Sequence, residues 1–339
     1  MMFGPGRTKN VSTNMSVGIK DVARAAGVAP STVSRALGKG PVSAEVRRKV
    51  EAAVAATGYR PNLAARQLRS QQSMTVGLIV ADIRNPFFTQ LSRAVEDEAY
   101  RVGMRVFLCN TDEDPAREAM YLELMAEERV AGVILAPTRT LAPPALADLR
   151  VPVVLVDRSL PGARRDAVIL DNAGATAQLV DHLFQSGRKR IAGLFGATSA
   201  TGLERHDAFR KRLAQHGLAP LAMTAPPSPE AGRSALETLL ERDRPDGLVL
   251  SNGLFIGAAL QLCRDRGIRL PHELALAGFD DEPWTALVEP SITVIRQPVD
   301  AFGREAMLML LARITQPEQP YRTVVLSGEL IRRASTAAA

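Results

Sequence analysis

From residue 74 onward, short apolar runs alternate with longer amphipathic stretches, and this rhythm limits the possible folds more than any other feature of the chain. The runs TVGLIVAD, RVFLCN, AGVILAP and PVVLVD are short and rich in β-branched residues. Between them lie FFTQLSRAVEDEAYRVG, PAREAMYLELMAEERV and a shorter segment near 143 to 149, each with helical spacing. Near-continuous apolar strands alternating with helices call for a parallel sheet covered on both faces. The pattern restarts at 172 with NAGATAQLVDHLFQSG. It continues through RKRIAGLFG, GLERHDAFRKRLAQHG, PEAGRSALETLLERD, GLVLSN, LFIGAALQLCRDRG and LALAGFD. Two similar open α/β halves predict two lobes with a cleft between them. Ligands of such sheets bind outside the carboxyl ends of the strands.

Those strand ends are polar: Asp82 to Phe88, Asn110 to Asp112, Pro137-Thr138, Asp157-Arg158, Gly196 to Thr201, Ser251-Asn252 and Asp280-Asp281. Carboxylates and amides take paired hydroxyls and rings stack on a sugar or base face, so the set suits a polyhydroxylated ligand. Nothing in it reads as catalytic. Gly193-Leu194-Phe195-Gly196 lacks the spacing of a dinucleotide loop, and no phosphate-binding GKS/T sequence occurs. Of His182, His206, His216 and His272, three fall on predicted helices or their ends, where a surface or packed role is expected. Ser251 is in no nucleophile elbow and no metal-ligand spacing appears. The expectation is a binding protein with no enzymatic activity, no cofactor and no metal.

Residues 19 to 35, IKDVARAAGVAPSTVSR, read as two short helices around a tight turn. Val22, Ala23 and Ala26 make an apolar stripe, Gly27 supplies a left-handed turn residue, and Pro30 suits a first helical position. Val33, Ala36 and Leu37 form the inward face of the second helix, with Ser31, Thr32, Ser34 and Arg35 outward. That face suits a helix in a DNA major groove, although an ordinary corner of two helices has the same spacing. Ser43 is placed to cap a third helix, SAEVRRKVEAAVAATG, ending at Gly58. After Pro61 the stretch LAARQLRSQQS reads either as a short helix that needs a partner to fold or as a plain linker.

Charge separates the two regions. Residues 1 to 73 hold 12 Lys and Arg against 3 Asp and Glu, a net of +9, whereas the remainder carries −3 of the total +6. One-sided clustering of this kind is the footprint of a polyanion partner. With 339 residues and 46% hydrophobic content, two or three domains are expected. No stretch approaches the roughly 18 uncharged apolar residues of a membrane span. The first residues lack the apolar segment of a secretory signal and read as a flexible tail, so a cytoplasmic protein is expected. Cys109 and Cys263, each in an apolar context, are expected to be buried free thiols.

A basic helix-turn-helix, a proline-led hinge and a bilobal core, in this order, make the chain resemble the LacI/GalR family of transcriptional regulators. The match covers residues 19 to about 334. It rests on IKDVARAAGV-x-x-STVSRAL, VSAEVRRKVEAAVAATGYRPNLAARQLRS, VGLIVADIRNPFF and GFDD-x-x-W-x-x-L-x-x-P-S-I-T-V-I-R-Q-P. The resemblance implies an all-α helix-turn-helix headpiece plus hinge helix, then an α/β bilobal periplasmic-binding-protein-like effector core of two open parallel-sheet lobes. It places a tail at 1–18, the DNA-binding domain at 19–60 and the hinge at 61–73. One lobe takes 74–171 and 298–325, the other 172–297 and 326–334, with a tail at 335–339.

By resemblance, a homodimer binds double-stranded operator DNA and a small-molecule effector, a sugar or sugar derivative being implied for the latter. Pro30, Ser31 and Arg35 occupy positions that meet base edges, with Thr32 and Ser34 nearer the phosphates. Asn62, Ala65 and Arg66 lie near the DNA backbone and Leu68 matches a leucine wedged into the minor groove. In the core, Phe87 or Phe88 stacks on the effector, Asp157, Arg205, Asn252 and Asp280 hydrogen-bond it, and Trp284 stands at the wall. Asp171 and Asn172 lie near the lobe crossover. The function implied is ligand-responsive repression of carbohydrate-utilisation genes. Two other readings stay open: a corepressor-dependent or global regulator answering to a purine, sugar phosphate or protein through Arg158, Arg164 and Arg165, and a sugar-binding module without regulatory output. Three departures stand out: Ala29 where the family has a capping serine, small Pro30 and Ser31 at base-reading positions, and Gly253 where aspartate is common.

Overall fold

The computed structural model describes residues 17–38, 40–59, 73–147 and 149–337. The chain forms two compact units, Met1–Gln72 and Ser73–Ala339. No helix among the described residues is long and apolar enough to cross a membrane.

The first unit contains helices Ile19–Ala26 (α1), Pro30–Leu37 (α2) and Ala44–Thr57 (α3). Their shared core is small: Val22, Ala23, Val33, Ala36, Val50 and Ala53 are buried, with Leu37, Val46 and Tyr59 packed at the margin. Gly27 has φ 65°, which reverses the chain where a side chain would be strained. Ser43 caps α3 by accepting from the Val46 amide at 3.3 Å. Arg47 on α3 donates to the carbonyls of Ala36, Gly38 and Gly40, the first at 2.6 Å. It thereby satisfies orphan acceptors at the end of α2 and ties the two helices together.

In the second unit, the first lobe runs through Thr75–Val80 (β1), Pro86–Arg101 (α4), Arg105–Asn110 (β2), Pro115–Glu127 (α5), Gly132–Leu135 (β3), Pro143–Ala147 (α6), Val153–Asp157 (β4) and Asp166–Leu170 (β5). The second runs through Asn172–Gln185 (α7), Ile191–Gly196 (β6), Ala200–Gln215 (α8), Leu221–Ala225 (β7), Pro229–Asp243 (α9), Gly247–Leu250 (β8), Gly253–Arg266 (α10), Ala275–Phe279 (β9) and Thr293–Arg296 (β10). The chain then returns as Val299–Thr315 (α11) and Thr323–Leu326 (β11), and finishes with Glu329–Ile331 (β12). The sheet orders are β11-β5-β4-β3-β1-β2 and β12-β10-β9-β8-β6-β7. All pairings are parallel except β10 with β12. Both β1 and β6 are buried along their whole length, as strands with helices on both faces must be. Helix α11 lies so close to α4 that a Cβ on Gly303 would sit 2.4 Å from that of Ala94.

Several expectations are corrected. Strands β5, β7, β10, β11 and β12 and helix α11 extend the alternation seen in the sequence. The edge strand β7, LAMTA, is mostly half-buried and lacks the β-branched signal. The expected tail at 335–339 is docked at its start. Ser335 and Thr336 are buried, Ser335 Oγ accepts from the Thr293 amide at 2.9 Å, and Thr336 Oγ1 lies 2.7 Å from His182 Nε2. Strand β11 runs through Leu326, one residue past the expected lobe boundary. Cys263 is buried, and burial pushes its thiol up to about 11. Cys109 is only half-buried, because β2 is the outer strand of its sheet.

Candidate functional site

On the first unit, the outward face of α2 presents Pro30, Ser31 and Arg35 to solvent, with Thr32 and Ser34 half-buried. Among the described residues, Arg35 Nε reaches only the Ser31 carbonyl, at 3.4 Å, a weak bond. Ala29 takes the cap position with extended backbone (φ −67°, ψ 150°) and offers no side-chain acceptor. Asn62, Ala65, Arg66 and Leu68 lie outside the described residues.

On the second unit, the strand ends converge on one cleft, at the point where β1 sits between β2 and β3 and β6 between β7 and β8. Its lining includes Phe87, Phe88, Asp157, Arg205, Asn252 and Asp280, six of the eight residues expected there. Phe87 and Phe88 meet edge to face with centroids 5.1 Å apart, and Phe87 rests on Phe302 at 5.7 Å. Both rings are therefore fixed from behind. Arg205 is 6% exposed. It donates from Nε to Asn172 Oδ1 at 2.7 Å and from Nη1 to the Ser251 carbonyl at 2.6 Å, with its carbon centre 3.8 Å from the Phe279 ring centroid. Burial lowers its pKa against the pull of Asp280 and Asp157. Asp280 accepts from the Gly253 amide at 3.0 Å and from Gln297 Nε2 at 2.7 Å. Asn252 caps α10 by accepting from the Phe255 amide at 2.9 Å.

Trp284 and Asp171 are corrected. Trp284 sits in a short 3₁₀ turn, Pro283–Ala286, and packs against the hydrophobic core of the second lobe instead of the cleft. Asp171 is exposed and caps α7, accepting from the Gly174 amide at 2.8 Å. Its neighbour Asn172 holds Arg205.

The sequence reading missed the groups that fix the first-lobe wall. Arg158 is 4% exposed and spends its fork on Asp157 (3.0 Å), Glu113 (2.6 and 2.9 Å) and the Pro137 carbonyl (3.0 Å). Burial opposes its charge, but Asp157 and Glu113 hold its pKa above the ordinary value. Burial pushes the Asp157 carboxyl up, with Arg158 and Arg205 pulling against it. Arg158 is thus committed within the wall, and the reading that assigned it to an incoming phosphate is corrected. Glu113, Asp157 and Asp280 carry positive φ (59°, 69° and 81°), a backbone strain that tends to gather at functional sites. Asn85, Ser199 and Asn252 cap α4, α8 and α10 at the cleft, so helix amides there are already spent on side chains.

The charge of the lining is acidic by one group: Asp82 meets Arg84 at 2.9 Å, Glu113 and Asp157 meet Arg158, and Asp280 lies near Arg205, four carboxylates against three guanidinium groups. Open space within it is about 60 Å³, well below the ~300 Å³ of a typical small-ligand pocket. A hexose-sized guest requires the lobes to part.

Residues 18–62 match the bacterial regulatory proteins of the lacI family, and residues 180–336 match a periplasmic binding protein-like domain. The chain is 34% identical over 325 residues to the ribose operon repressor of Bacillus subtilis (strain 168), covering 94% of this chain and 98% of that protein. Among solved structures, the Lac repressor dimer bound to operator and the anti-inducer ONPF superposes with a TM-score of 0.86 at 25% identity, covering 95% of this chain and 99% of that one. The transcriptional regulator CelR–cellobiose complex gives 0.72 at 28% identity, over 94% and 99%. Such relatives are regulators and not enzymes. Helix-turn-helix, two parallel-sheet lobes and end-to-end likeness to these proteins lead to one conclusion: the chain belongs to the LacI family of DNA-binding transcriptional regulators.

Proposed function

We propose that this regulator represses carbohydrate-utilisation genes and takes a polyhydroxylated effector without negative charge in the cleft between its lobes. The observation that carries this reading is the lining itself. Four carboxylates and the amides of Asn85, Asn252 and Gln297 offer paired acceptors and donors beside two fixed phenyl rings. A sugar phosphate or sugar acid would add negative charge to that surplus while Arg158 is already paired. The relatives named for ribose and cellobiose support the sugar class.

On DNA, Pro30, Ser31 and Arg35 read base edges and Thr32 and Ser34 approach phosphates. Asn62, Ala65, Arg66 and Leu68 complete the contact at the operator centre. Two copies are required, as in the Lac repressor dimer. Apolar side chains exposed on β2 and its neighbours support such pairing: Tyr100, Phe107, Leu108, Met120 and Leu124. Effector and operator then favour different lobe arrangements, and the coupling between them is reciprocal.

The test is a binding screen of neutral sugars, sugar phosphates and purines by calorimetry, followed by operator titration with each ligand that binds. Sugars without an acidic group are expected to bind and to change operator affinity. Binding confined to phosphates or purines overturns the reading, as does a bound sugar that leaves operator affinity unmoved. Leu68→Ala is expected to weaken specific more than nonspecific DNA binding, and equal loss in both refutes the role given to Leu68.

A further inference from the structure

Beside the cleft lies a second cavity of about 460 Å³, lined from the second lobe by Asp280, Asp281, Glu282, Arg296 and Gln297. The first lobe closes it with Phe87 and Gln90 of α4 and with Asp300 and Arg304 of α11. It shares Phe87, Asp280 and Gln297 with the effector cleft. A ligand seated on the phenyl rings can therefore extend into it.

The polar groups here fall into two sets. The charged pairs are internally matched: Arg296 Nη2 lies 2.7 Å from Asp281, Arg333 Nη2 also lies 2.6 Å from Asp281, and Arg304 meets Glu98 at 3.8 Å. Three acceptors are left over, of which Asp300 is exposed to water and the other two are not. Gln297 is 8% exposed, and its Oε1 is buried with no partner among the described residues. Its orientation is fixed, because the opposite amide atom meets the Asp280 carboxylate at 2.7 Å and must be the donor. Glu282 is 7% exposed, and its carboxyl makes no hydrogen bond or ion pair among the described residues, its oxygens keeping contact with the open space of the cavity. Gln297 Oε1 carries the cost of a buried acceptor without a partner, and Glu282 that of a carboxylate held largely out of water beside Asp280 and Asp281.

The departure at Gly253 belongs to the same arrangement. A Cβ at that position would stand 3.8 Å from both Asp280 Cβ and Glu282 Cγ. An aspartate there, common in the family, would set one more carboxylate against these two. In this chain the acidic group beside Asp280 comes instead from Glu282, on the side of the second cavity.

We infer that the second cavity is a subsite for a protonated amine, so that the effector is an amino sugar whose ammonium meets Glu282 while its ring occupies the cleft. A compact ammonium supplies donors only, and donors are what the site lacks. It also brings the positive charge that the carboxylate surplus of cleft and cavity leaves unmatched. Without such a guest, burial and the neighbouring charges of Asp280 and Asp281 push the Glu282 carboxyl up to about 7. A metal ion does not fit, since no group of three His, Cys, Asp or Glu among the described residues is arranged to hold one.

The inference rests on the sugar reading proposed above and is tested so that the two can fail separately. Full-length protein is titrated by calorimetry with glucosamine, galactosamine and mannosamine, and with glucose, galactose and mannose, at neutral pH. At least one amino sugar is expected to bind about tenfold or more tighter than its hydroxyl parent, as a charge-assisted hydrogen bond warrants. In Glu282→Gln that ratio is expected to fall close to one, with a thermal melt confirming the fold. Neutral sugars that bind as well as their amino counterparts in the wild-type protein overturn the inference and leave the sugar reading standing. A preference for the amine that survives E282Q also overturns it. Binding by neither class overturns both.

Discussion

Replacing Glu282 with glutamine isolates the cost of burying this carboxyl, and the structure gives its size. The groups facing it are Asp280 and Asp281 from its own segment, Arg296 and Gln297 from β10 and the turn after it, Phe87 and Gln90 from α4, and Asp300 and Arg304 from α11. Burial, then Asp280, then Asp281 raise its pKa from 4.5 to about 7. Between those values the folded protein holds a proton that the unfolded chain has released, so stability declines as pH rises through this window and stays reduced above it. Each pKa unit corresponds to about 1.4 kcal/mol, so the penalty is at most about 3 kcal/mol and is reduced by the solvent that reaches the carboxylate through the cavity. Glutamine keeps the shape and removes the charge. E282Q is therefore expected to be about 1–3 kcal/mol more stable than wild type at about pH 8, and nearly equal to it at about pH 4. Urea unfolding without ligand measures both. Trp284, the single tryptophan, packs on the core of the same lobe next to this turn and reports its unfolding by fluorescence. A gain of equal size at the two pH values, or no gain at the higher one, refutes the electrostatic argument.

Three other outcomes follow from the same physical reasoning. Arg158→Met strands Asp157 and Glu113 as unpaired acids in the wall, and a loss of roughly 3–5 kcal/mol is expected in urea unfolding at neutral pH. A loss below about 1 kcal/mol would mean that the carboxylates are solvated. Ala29→Ser supplies the missing cap of α2 and is expected to stabilise the headpiece by about 1 kcal/mol, read as a raised thermal midpoint of its transition. An unchanged midpoint would show that Pro30 already provides what the cap would add. Arg35→Ala is expected to remove about 1–3 kcal/mol of discrimination at one operator base pair, measured against a set of single-base operator variants. Uniform weakening across all variants would instead make Arg35 a phosphate contact.

How much of this was legible in the sequence depends on the range of the interaction concerned. The positions of Asp157, Asn252 and Asp280 follow from a local rule, since each stands at the carboxyl end of a parallel strand. The rings of Phe87 and Phe88 follow from the helix that Asn85 caps. The pairing of Glu113 with Arg158 spans 45 residues, and only the assembled sheet brings the two together. Glu113 also needs a left-handed backbone, which a glutamate does not advertise. Trp284 misled for a related reason: an aromatic just past a strand end suggests a ligand wall, but the 3₁₀ turn rotates it into the core. Ser335 and Thr336 looked like a tail because single short polar residues carry no periodic signal. Their bonds to β10 and α7 are purely tertiary.

The cleft and the cavity beside it share one energetic character that bears on regulation. Arg205 and Asp157 are desolvated with their pKa values displaced toward the neutral forms, and Glu282 and Gln297 Oε1 lack partners. A ligand that supplies the complementary groups relieves part of these costs, and so does water admitted as the lobes part. A ligand therefore biases whichever lobe arrangement it binds better, by its differential affinity alone. The same free energy must appear as a change in operator affinity if lobe closure and DNA binding are linked.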